Sequence, residues 1–211
     1  MLLFACLLSL STALLGTDTT YVLPTSGIAC LKNMSSDFII FLASDSNTGK
    51  FYSSVASTVK NAWSIGFEKA QVDLLFTPCV TCGNPETQIV EFYGNVTSNK
   101  LKPNCIWLNV IDGWYSDIPD RQGFFEKMIA QATKSKMTFG IFTSKKYWEG
   151  VFGDTYECPN ARTTPLFYYN SDNNPSFSDF RRFGGWAKPT AKRYSPNNYV
   201  CNTKANYDYK E

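Results

Sequence analysis

The chain contains no histidine. Chemistry that leans on an imidazole, as base or as metal ligand, is therefore closed to it. What remains is thiols and carboxylates. Cys79-Val80-Thr81-Cys82 has C-x-x-C spacing. Zinc would need two further ligands, and a redox role would need a reactive thiolate at a helix N-terminus. A structural disulfide is the favoured reading of this pair. Among the acids, Asp112 follows the apolar run Cys105–Ile111 and precedes Gly113, a turn setting. A one-residue bulge would turn it inward; without one it faces the other side of the strand. Asp117, Asp120 and Asp172 read as loop residues or helix caps.

The first residues, Met1 to Gly16, form an uncharged run of Leu, Ala, Phe, Ser and Cys. It is too short to span a bilayer and fits a signal peptide, cut after Ala13 or Gly16. We therefore expect a leader over residues 1–16 and one domain over residues 17–211, secreted, monomeric and not bound to membranes. Net charge is +2 with scattered basic residues, which offers no nucleic-acid surface. Removal of Cys6 with the leader leaves Cys30, Cys79, Cys82, Cys105, Cys158 and Cys201. An even count in a secreted chain predicts three disulfides, with the pairing open. Asn33-Met34-Ser35 and Asn95-Val96-Thr97 are glycosylation acceptors at Asn33 and Asn95.

The elements that must position any site alternate in kind. Phe38–Ala43, Val72–Phe76, Cys105–Ile111 and Thr138–Thr143 are apolar strands. Helices are predicted over Phe51–Ile65, Asn84–Ser98, Gln122–Ser135 and Tyr147–Phe152. Shorter strands follow at Pro165–Tyr169, Thr190–Tyr194 and Ala205–Tyr209, and the first strand is set at Thr20–Leu23. Strand and helix in repeated alternation indicate parallel βαβ units. The predicted fold is α/β: a single closed barrel of about eight strands, with helices missing from its last third.

Several stretches together resemble the short secreted eukaryotic lysozymes of glycoside hydrolase family 25. They include Pro24-Thr25-Ser26 with Ala29-Cys30-Leu31-Lys32, Asn61-Ala62-Trp63, Phe76–Cys82 and Cys105-Ile106-Trp107-Leu108. The most specific is Asp172-Asn173-Asn174-Pro175-Ser176-Phe177-Ser178-Asp179-Phe180, followed by Phe183-Gly184-Gly185-Trp186 and Lys188-Pro189. The resemblance implies a flattened, TIM-like β/α barrel with a sugar groove at the C-terminal ends of its strands, and cleavage of bacterial cell-wall peptidoglycan without metal or cofactor.

It also implies where acids should stand. The family's catalytic strand ends Trp-Leu-Asp-x-Glu, and here the two positions hold Asn109 and Ile111. Asparagine carries no charge, and isoleucine gives no proton. The family's Val-Asp pair near the C-terminus falls on Asn206, and the first strand, set at Thr20–Leu23, carries no acid. With all four positions altered, the expectation is a glycan-binding protein that has lost hydrolysis and acts in innate defence or signalling. The alternatives are a working lysozyme using a displaced acid such as Asp112, and an interaction protein whose groove has closed. The expected ligand is bacterial cell-wall glycan or another carbohydrate. Tyr168, Tyr169 and Trp107, with Trp114, Tyr115 and Trp186, are the candidate stacking rings.

Overall fold

The computed structural model describes residues 13–19, 22–111, 114 and 120–211. Its strands are β1 (Leu14–Thr19), β2 (Phe38–Leu42), β3 (Val72–Phe76), β4 (Ile106–Asn109), β5 (Phe139–Thr143), β6 (Leu166–Tyr169), β7 (Ala191–Val200) and β8 (Thr203–Lys210). They close into a barrel in sequence order. β1 to β7 run parallel, and β8 is antiparallel to both β7 and β1. Helices α1 (Thr25–Asn33), α2 (Val55–Ser64), α3 (Pro85–Ser98), α4 (Arg121–Lys134) and α5 (Lys145–Phe152) follow the first five strands. No helix covers β6 to β8 among the described residues, as the fading helical pattern predicts. None of the described helices is long and apolar enough to cross a membrane.

The uninterrupted apolar strands are explained by two cores, one on each side of the barrel wall. Ile39, Phe41, Leu74, Phe76 and Leu108 face outward to the helices. Phe38, Ile40, Leu75, Trp107, Phe142 and Phe167 fill the interior. Two glycines make room for the largest interior rings. A Cβ on Gly140 would lie 2.4 Å from Trp107, and one on Gly16 would lie 2.4 Å from Phe38. Below them, Lys210 meets Asp73 at 2.6 Å. Asp73 also accepts hydrogen bonds from the Trp107 indole and the Cys105 backbone N–H, each at 3.0 Å.

Two expectations are corrected. The first strand lies at Leu14–Thr19, not Thr20–Leu23. Thr20 and Tyr21 lie outside the described residues, and Val22 and Leu23 lead into α1. Leu14, Leu15 and Gly16 read as the end of the leader, yet they pair with β8 and β2. The second correction concerns cysteines. Cys30 bonds Cys201 and Cys79 bonds Cys82, whereas Cys105 and Cys158 are free and buried. The barrel wall separates these two: Cys105 belongs to the interior core and Cys158 to the outer one. Burial pushes the Cys105 thiol well up and the Cys158 thiol to about 12, so both stay protonated and inert.

Candidate functional site

The C-terminal ends of the parallel strands open on a cavity of about 390 Å³. This is the end at which β/α barrels carry their sites. Asn109, the last residue of β4, and Ile111, two residues on, both line it. Alternation along an extended chain puts residues two apart on one face. Asn109 is fixed in place. Its Nδ2 donates to Thr77 Oγ1, its Oδ1 accepts from the Ile111 N–H, both at 3.0 Å, and its carbonyl accepts from the Trp114 indole at 2.8 Å. Thr77 is held in turn by Ser44, whose hydroxyl bonds both its N–H and its carbonyl. Ile111 joins the interior apolar core.

Opposite them stand residues of β7, β8 and β1. Asn206 donates to Asp18 Oδ1 at 2.8 Å and accepts from the Asn197 N–H at 2.8 Å. Arg193 meets Asp18 Oδ2 through Nε at 2.7 Å and through a terminal nitrogen at 2.6 Å. Its guanidinium carbon also lies 4.2 Å from the centre of the Phe142 ring. Asp208 is completely buried, and neither of its oxygens has a hydrogen-bond partner among the described residues. Arg193 Nε is 3.9 Å from it. Burial pushes the Asp208 carboxyl well above the usual range, and Asp18 pushes the same way, while Arg193 and Lys210 pull it back.

The sequence reading placed no acid on the first strand; Asp18 corrects it. Its setting, Thr17-Asp18-Thr19-Thr20, was legible as a counterpart of Val-Asp-x-Ser, but the leader boundary hid it. Arg193 and Asp208 were also missed, because neither carries a local motif. Asp112, Asp117 and Tyr115 lie outside the described residues. Asp120 caps α4, accepting from the Gly123 N–H at 2.7 Å. Asp172 shares the buried Lys192 ammonium with Asp179, at 2.7 and 2.6 Å.

Of the candidate rings, Tyr169 lines the mouth and, with Tyr147 and Tyr168, also a neighbouring cavity. Trp107 is corrected: it is 1% exposed, inside the barrel and bonded to Asp73, out of reach of a ligand. Tyr168 packs its ring outward, 5.2 Å from that of Phe180, and borders the neighbouring cavity rather than the central one. Trp114 and Trp186 are outer-core residues. Among the described residues, no group of three or more His, Cys, Asp or Glu could hold a metal.

The family profile of Lysozyme-like protein 1 matches residues 10–194. A relative from Dictyostelium discoideum, probable GH family 25 lysozyme 2, is 31% identical over 201 residues, covering 94% of this chain and 91% of that protein. The chain belongs to the glycoside hydrolase family 25 lysozymes. Two solved structures share its barrel. The muramidase of Trichobolus zukalii superposes with a TM-score of 0.70 at 16% identity, covering 94% of this chain and 93% of its own. The modular Cpl-1 endolysin, solved with a peptidoglycan analogue, superposes at 0.59 and 12% identity, over 93% of this chain and 53% of its own.

Proposed function

We propose that this family 25 chain is a secreted lysozyme-like protein that binds bacterial cell-wall glycan without cleaving it, and acts in innate defence or signalling by binding. One observation carries this reading: Asn109 and Ile111 stand together at the mouth where glycosidic cleavage needs acids. Cleavage needs one carboxylic acid to protonate the leaving oxygen and a second group to stabilise the cationic sugar. Ile111 supplies no proton, and the amide of Asn109 is already engaged. Asp18 is held by Arg193 and Asn206 beneath the cavity, and Asp208 is sealed from solvent. The mouth keeps what a sugar site uses: Tyr52, Tyr147 and Tyr169 as apolar rings, with Asn197 and Asn206 as polar partners.

Secretion is part of the proposal. Cleavage after Ala13 leaves β1 whole, and the two disulfides suit an oxidising compartment. Asn33 and Asn95 are exposed, as acceptors of glycan must be. A monomer completes the reading. A pull-down of the mature chain on insoluble peptidoglycan tests binding, and clearing of a wall suspension tests cleavage. Retention on the walls without clearing is expected. Clearing that Asp112→Asn abolishes would overturn the reading, by assigning the acid's role one residue further on.

A further inference from the structure

The central cavity is lined by a single charged side chain among the described residues, Arg193. Its guanidinium lies between the Phe142 ring, 4.2 Å away, and the Asp18 carboxylate, at 2.6 and 2.7 Å. Asp208 stands 3.9 Å away. Deeper in the barrel, Lys210 and Asp73 pair with each other at 2.6 Å.

We infer that Arg193 determines the charge class of the ligand, an inference that rests on the glycan-binding reading. By neutralising Asp18 it gives the cavity an uncharged floor, and the mouth takes neutral N-acetylated sugars in preference to sugars bearing a free amine or a carboxylate. Without the arginine, Asp18 would present an uncompensated negative charge beneath the rings of Tyr147 and Tyr169. Without Asp18, the arginine would present a positive one. Asp208 does not upset the balance, because burial favours its uncharged form. The lining mixes Leu75, Ile111 and Phe142 with Ser44, Thr77 and Asn206, and in such a partly enclosed site an unbalanced unit charge acts more strongly on a ligand than it would in open water.

Calorimetric titration of the full mature chain with three tetrasaccharides tests this. One is built of N-acetylglucosamine, one of glucosamine, and one alternates N-acetylglucosamine with glucuronate. The wild type should bind the neutral oligomer about tenfold more tightly than either charged one, as expected when a unit charge enters without a partner. Arg193→Gln should shift preference about tenfold toward the glucosamine oligomer, and Asp18→Asn about tenfold toward the glucuronate one. Both shifts should shrink as salt is raised. The two variants push in opposite directions, so a folding failure in one, read by near-UV circular dichroism, leaves the other decisive. Equal binding of all three oligomers by the wild type, or an unchanged order in a folded variant, would overturn the role of Arg193. Absence of binding by any oligomer would remove the glycan-binding reading itself, and this inference with it.

Discussion

Asn109, where the family pattern leads one to expect an acid, is an amide whose nitrogen and oxygen are both engaged, by Thr77 and by the Ile111 N–H. On the proposed reading the strand geometry is kept while the reacting groups are replaced. Asp208 couples its protonation to folding. Its pKa is raised in the folded state, so its favourable contribution is full below the unfolded value, about 3.9. That contribution is lost as pH rises from there toward the folded value. Asp208→Asn mimics the protonated form at every pH. The unfolding free energy of the variant, read from urea titrations, should therefore gain on that of the wild type as pH rises from 4 toward neutrality, by about 1.4 kcal/mol per unit of pKa elevation sampled. A difference that stays constant across this range would show that Asp208 ionises freely. Asn109, Ile111 and Asn206 were legible in the sequence because each sits at a fixed distance from a recognisable landmark. Arg193 and Asp208 were not, because what joins them to Asp18 is barrel closure between β7, β8 and β1; Asp18 itself was hidden by the expected leader boundary.

At the scale of elements, the long matching block Asp172–Phe180 has a structural explanation. It has no helix of its own and is tied to the barrel by Lys192 of β7. The Lys192 side chain is fully buried and reaches Asp172, Asp179 and the Ser176 carbonyl. Burial alone would raise the Asp179 carboxyl, but hydrogen bonds from Lys192 and Asn170 outweigh it and hold the group low. The two acids remain 25% and 21% exposed, so water compensates part of any loss. Lys192→Met should cost about 1–3 kcal/mol and speed amide exchange in the loop. An unchanged melting temperature with unchanged exchange would show that the loop holds itself. The strands and helices of the first two thirds were readable because each carries a strong period or a continuous apolar run. Two exceptions stand at the start: no period marked α1, and β1 was assigned to the expected leader because Leu-Leu-Gly suits an apolar leader as well as a barrel strand.

At the scale of the whole molecule, the Cys30–Cys201 bond ties α1 to the turn between β7 and β8 across a sequence separation of 171. The double variant Cys30→Ser with Cys201→Ser should lose about 2–5 kcal/mol. The Cys79–Cys82 bond spans a separation of only 3 and constrains the unfolded chain far less. The mature chain, without Cys6, should show two free thiols when denatured without reductant, those of Cys105 and Cys158. Which cysteines pair was beyond the sequence, since pairing depends on which side of the barrel wall each thiol faces. The barrel itself was legible from alternation and resemblance, and its mouth now carries the central claim. The most direct test is hydrolysis of purified peptidoglycan by the mature chain, followed as release of reducing ends. The loss of a positioned acid costs about 10²–10⁴ in rate, and loss of its charge-stabilising partner costs more. The account predicts release no faster than in buffer, with at most partial recovery in Asn109→Asp with Ile111→Glu; release by the unaltered chain well above buffer would contradict it.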